Sequence, residues 1–182
     1  IPQVSMQLHF SFSAERYPEG LPHLVEHLLF EIQKDGLSYD AWVERSQGNS
    51  NARTRWSELI IETSVQKESV QGLLEWEAFR MKSFCDSLTT KNIENQKMVI
   101  VQEMLNLEFR HLGSVPDRLR KAVFSADSVL GAEVMGAIPD LESIQKEDLC
   151  HFASEVLVPS QARLILVGDI STEKSLDLGA LI

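Results

Sequence analysis

Three strand-like runs, set far apart and separated by long helical stretches, constrain this chain most. In the first, Val4, Met6, Leu8, Phe10 and Phe12 alternate with Ser5, Gln7, His9 and Ser11. That period of two is the pattern of a sheet with one buried face. The second run is residues 59–65, and the third, residues 163–167, exits at Gly168-Asp169. The stretches between them read as helices over 22–33, 38–45, 68–84, 90–109, 115–124 and 146–157. Residues 138–141 read as a turn or helix entry, and Gly48-Asn49-Ser50-Asn51 as a loop. Pro22 suits the first turn of its helix, where a missing N–H costs little, and Ser38 is a candidate cap. Met98-Val99-Ile100-Val101 can be read as a strand, but its segment is long and lacks Gly and Pro, which favours helix. Strands separated by groups of helices point to an α+β fold, a mainly antiparallel sheet layered against helices. Three strands are few for such a sheet, so an opening strand or hairpin is expected to be missing before Ile1.

Composition excludes several classes. With 43% apolar and 24% charged residues the chain can build a core, unlike a disordered segment. A net charge of −10 argues against a nucleic-acid backbone or an anionic membrane surface as partner. No apolar run approaches the roughly 20 residues that span a bilayer. Cys85 and Cys150 lie far apart in sequence and read as reduced thiols, with a single disulfide as the alternative. The reading is therefore a soluble chain with the cytoplasm as default compartment. Residues 1–170 form one domain and 171–182 a weakly patterned tail or linker.

Chemistry concentrates in His23-Leu24-Val25-Glu26-His27. On a helix, four residues give about 40° of offset and about 6 Å of rise. His23 and His27 therefore share a face, with Glu26 to one side. Zinc accepts imidazole nitrogen and carboxylate oxygen, and hydrolytic sites use three protein ligands plus water. A carboxylate beside that water, off the metal, can take its proton and pass it to a leaving amine. Glu26 is placed for that role. The spacing H-x-x-E-H is the reverse of H-E-x-x-H and marks the inverzincins. The plainer reading is two surface histidines beside a glutamate. The acidic candidates for a third ligand are many, and spacing alone does not choose among them.

The segment Gly20-Leu21-Pro22-His23-Leu24-Val25-Glu26-His27-Leu28-Leu29-Phe30 resembles the metal helix of the pitrilysin, insulysin and mitochondrial processing peptidase family. Residues 93–104, which end Val101-Gln102-Glu103-Met104, are similar to the family segment that ends in its third ligand. The resemblance assigns that role to Glu103, 76 residues after His27. Asn51-Ala52-Arg53-Thr54 resembles the family's N-A-x-T, which borders the cleft. Arg80-Met81 and the stretch 159–169 resemble two further family elements in the same order.

The resemblance implies a roll-like domain of a zinc-dependent endopeptidase, with one Zn2+ held by His23, His27 and Glu103 and water activated by Glu26. Asn51 and Ala52 would hold an extended or unstructured peptide beside a sheet edge. It also implies a second homologous, metal-free domain or subunit closing over the cleft, toward which 171–182 would lead. Three departures stand out. Gln96 occupies the place, seven residues before Glu103, where the family often has an acid. The i to i+7 spacing keeps Gln96 on the ligand face, as a residue that supports a ligand rather than binding metal. The usual Gly-Thr after the metal helix is absent, since Phe30 is followed by Glu31-Ile32, and position 53 is Arg where the family has an aromatic. The family also includes non-catalytic scaffold or assembly subunits, the alternative reading.

Overall fold

The computed structural model describes residues 3–109, 115–124, 128, 130, 131 and 133–170. The tail 171–182 and His111 lie outside the described residues. The centre of the fold is the strand that the alternation predicts, β1 (Gln3–Ser11), whose Val4, Met6, Leu8 and Phe10 are fully buried. It pairs antiparallel with β5 (Glu58–Gln66) on one side and β6 (Ala162–Gly168) on the other. A further strand, β4 (Asn49–Thr54), pairs antiparallel with β5, giving the order β4-β5-β1-β6. The α+β reading, a mainly antiparallel sheet under helices, describes the molecule.

The expected loop at 48–51 is instead the start of β4. Its sequence lacks apolar alternation because its inner side meets polar groups as well as the core: Ala52 packs against the core, while Ser50 and Thr54 donate to Asp40 and Glu26. The first helix, α1 (Leu21–Phe30), stops three residues before the expected end. The next residues form a small hairpin, β2 (Gln33–Lys34) and β3 (Leu37–Ser38), turning through Asp35 and Gly36, both at positive φ. Ser38 then caps α2 (Tyr39–Arg45), its side chain accepting from the Ala41 N–H at 3.3 Å.

Two long helices follow, α3 (Val70–Ser87) and α4 (Thr90–Phe109). The ambiguous run at 98–101 is helical, and its apolar residues divide: Ile100 is fully buried and Met98 is 61% exposed. The shorter helices are α5 (Val115–Val123), α6 (Ile138–Ser143) and α7 (Lys146–Val156). One core, between the apolar face of the sheet and α1, α3, α4 and α7, contains Leu24, Leu28, Leu73, Phe84, Ile100 and Phe152. Cys85 on α3 and Cys150 on α7, read from sequence as separate thiols, form a disulfide with Cα atoms 5.2 Å apart. Helix packing brings them together, which a separation of 65 residues does not reveal.

Two features fix α1, the element that carries the histidines. Gly20 caps its N-terminus at φ 80°, and a Cβ there would lie 2.5 Å from the Met135 carbonyl oxygen. Only glycine takes that conformation freely. At the other end, the fully buried Arg80 guanidinium lies over the rings of Tyr39, at 3.7 Å, and Phe30, at 5.2 Å. Arg80 donates to both oxygens of Glu77, at 2.7 and 2.6 Å, and the Tyr39 hydroxyl donates to Glu77 at 2.7 Å. This buried ion pair ties the end of α1 and the start of α2 to α3.

Candidate metal centre

Helix α1 packs against both α4 and the edge strand β4. Leu21, Leu24, Val25 and Leu28 are buried in the core, which directs His23, Glu26 and His27 toward α4 and β4. Ile93 and Ile100 anchor α4 in the core. Gln96 and Glu103, each three residues further on, lie together on the neighbouring stripe. Glu103 Oε2 is 3.5 Å from His27 Nε2 and 3.9 Å from His23 Nε2. One ligand atom from each of the three residues lies within 4.8 Å of the others. Ligands on a tetrahedral zinc with bonds of about 2.1 Å stand about 3.4 Å apart. Small rotamer adjustments therefore suffice to bring this donor set onto one ion.

The reading of two surface histidines does not describe these side chains, which are only 13% and 15% exposed. Burial, and then the neighbouring His27, push the His23 pKa down to about 4. His23 is accordingly neutral at physiological pH and keeps a lone pair for a metal. Its Nδ1 is buried with no hydrogen-bond partner among the described residues, and packing holds this ring, including the edge-to-face contact with His27 at 4.7 Å. His27 is held differently. Its Nδ1 lies 3.0 Å from Gln96 Oε1, and Gln96 Nε2 donates to Glu31 Oε1 at 2.8 Å.

Glu26 stands apart from the donor trio. Its carboxylate accepts from the Thr54 hydroxyl at 2.5 Å. Burial raises its pKa above the ordinary carboxyl value, opposed by the Thr54 bond and by His27 and reinforced by Glu103. A raised pKa suits a group that takes and returns protons near neutrality.

The same strand offers a free edge. Among the described residues, β4 pairs only with β5. The Arg55 N–H donates to the Glu58 carbonyl at 2.8 Å. Alternation along an antiparallel ladder then turns the backbone groups of Thr54, Ala52 and Ser50 outward and those of Arg53 and Asn51 toward β5. Ala52 therefore presents main-chain groups to the edge. Asn51 instead directs its side chain to the outer face of the sheet, beside Glu62. Two residues not singled out from sequence contact the site: Thr54 and Glu31. Thr54 belongs to the quoted N-A-x-T segment, and its period-2 relation to Ala52 was the signal available. Glu31 occupies the place of the family's glycine, and that departure was its signal.

Comparison with known proteins gives the chain relatives. The profile of the insulinase family (peptidase family M16) matches residues 9–137. The beta subunit of the human mitochondrial-processing peptidase is 23% identical over 161 residues, covering 87% of this chain and 32% of that protein. The chain thus spans about a third of the length of this curated relative. A protease from Helicobacter pylori superposes with a TM-score of 0.80 at 19% identity, over 97% of this chain and 43% of that one. A chain of complex III2 from Candida albicans (Inz-5 bound) superposes with a TM-score of 0.69 at 13% identity, over 90% of this chain and 37% of that one.

Proposed function

Because the chain belongs to the insulinase family (peptidase family M16), we propose that it is the metal-bearing domain of a zinc-dependent endopeptidase. Its substrates are extended or unstructured peptides. The observation that carries this reading is the division of labour on α1. Two imidazoles converge with Glu103, while Glu26, on the same helical turn, is bonded to Thr54 instead. His23, His27 and Glu103 hold Zn2+, and the ion supplies Lewis-acid polarisation and lowers the pKa of water from 15.7 to about 7.

The other steps belong to the chain's own groups. A peptide aligns beside β4, its backbone bonded to the outward N–H and C=O of Ala52. Asn51 contributes its side-chain amide. Glu26 accepts a proton from the attacking water at a carboxylate oxygen and delivers it to the leaving amine. Thr54 holds that carboxylate in place and keeps it from turning onto the metal. Residues 1–170 act as one domain, and a second homologous domain or subunit closes the cleft. No helix among the described residues is long and apolar enough to cross a membrane.

Elemental analysis together with Glu26→Gln tests the reading. The wild-type chain should hold one zinc. The variant should retain it and lose about 10²- to 10⁴-fold in cleavage of an unstructured peptide, the usual contribution of a general base. A second reading, a non-catalytic assembly subunit, is favoured by Gln96, which puts a neutral amide where the family often has an acid. Zinc-free protein with no cleavage, in zinc-replete buffer, decides for that reading.

A further inference from the structure

Glu31 is in an unfavourable place for an acid. It caps the C-terminus of α1, where the negative end of the helix dipole opposes an anion. It is exposed, and among the described residues its side chain accepts from Gln96 Nε2 at 2.8 Å. An ionised carboxylate only accepts hydrogen bonds. Gln96 must therefore present its NH2 to Glu31, which turns its Oε1 to His27 Nδ1, 3.0 Å away. An amide oxygen also only accepts, so Nδ1 carries the proton and Nε2 the lone pair. Nε2 is the atom that faces Glu103, at 3.5 Å.

We propose that Glu31 sets the tautomer of His27 through the side-chain amide of Gln96, so that the ring offers its Nε2 lone pair to a metal ion. Glu31 and Gln96 are positioning residues. The charge that a directly placed acid would bring to the histidine is moved one side chain outward, and a neutral amide transmits its direction. Without Glu31 nothing in this relay prevents Gln96 from flipping and donating to Nδ1, which leaves Nε2 protonated and unable to bind. The metal-affinity half of the inference rests on His27 being a ligand, as proposed above; the tautomer half does not.

The test uses the whole chain labelled with 15N-histidine, metal-free, at alkaline pH where imidazoles are neutral. Long-range 1H–15N correlations distinguish Nδ1–H from Nε2–H. Wild type should show His27 as Nδ1–H, and Glu31→Ala a mixture with Nε2–H. The zinc dissociation constant, from chelator competition, should rise about 10- to 100-fold in Glu31→Ala, the usual cost of losing a partner behind a ligand. The thermal midpoint of the metal-free protein should not fall, since the change removes an acid from a helix C-terminus. In a Gln96→Glu background the carboxylate accepts from Nδ1 directly, and Glu31→Ala should then change neither tautomer nor affinity. An unchanged tautomer in Glu31→Ala overturns the inference, as does an equal loss of affinity in both backgrounds. Wild-type protein that binds no zinc but whose tautomer follows residue 31 defeats the peptidase reading and leaves the relay standing.

Discussion

At the residue scale, His23 carries a pH dependence with a defined sign. Its pKa is about 4 in the folded chain and 6.5 when free. On acidification the unfolded chain takes this proton first, so the contribution to stability is intact above about pH 6.5 and is lost as pH falls through 4. The full shift corresponds to about 3 kcal/mol. The urea midpoint of the metal-free protein should drop between these limits. His23→Gln should flatten that drop, a comparison that removes the opposing effect of Glu26, whose raised pKa favours the folded state on acidification. The pair Glu77 and Arg80 makes a second residue-level case. Both side chains are at most 2% exposed. Arg80→Ala leaves a buried carboxylate without its cation, which costs about 3–5 kcal/mol. Chemical denaturation should register a loss of that order, well beyond the roughly 1 kcal/mol of an average substitution.

At the scale of elements, β4 links fold to chemistry: one side pairs with β5, and the other brings Thr54 to Glu26 and Ala52 to the free edge. Ala52→Pro removes an outward N–H at a position where an edge strand tolerates proline. One lost hydrogen bond of about 1 kcal/mol predicts a several-fold rise in KM with zinc content unchanged. Equal KM values would mean that the peptide does not use this edge. The same strand shows where sequence reasoning stops. β1 was legible because a buried face must alternate, and α1 because His23 and His27 share a face only on a helix. Asn49–Thr54 has no fully buried residue, and its inner Ser50 and Thr54 donate to Asp40 and Glu26, so polar residues fill it and its start resembles a loop. Glu103 could be singled out only by resemblance. A third ligand arrives from a distant helix, and its register against α1 is set by buried residues such as Ile93 and Ile100, not by local spacing. Local spacing does not mark Glu77 and Arg80 as a buried pair, which only packing makes, and Glu31 shows in the sequence only as a departure from the family's glycine.

At the scale of the whole molecule, the proposed ligands come from two parts of the chain, α1 and α4, and the Cys85–Cys150 disulfide, which joins α3 to α7, encloses the second of them. The bridge closes a 65-residue loop that includes α4 and thus Glu103. Chain-entropy reasoning gives a closure of that length about 4 kcal/mol of stabilisation. The double substitution Cys85→Ser, Cys150→Ser should lower the denaturation midpoint and, where residual stability allows folding, weaken zinc binding through α4 more than through α1. The open cleft sets the last expectation. Glu103 is 46% exposed, and the β4 edge carries no strand among the described residues, so water reaches both the donor set and the place of the peptide. Electrostatic stabilisation of a reacting carbonyl is strong only where water is excluded, and among the described residues no element covers the donor set and the β4 edge. The chain alone should therefore load zinc with an affinity close to that of the closed assembly and cleave an unstructured peptide slowly. Adding a homologous second half should raise kcat/KM while leaving zinc content unchanged. Full activity without that half would mean that closure of the cleft contributes nothing, and that the ligands, Glu26 and the strand edge suffice by themselves.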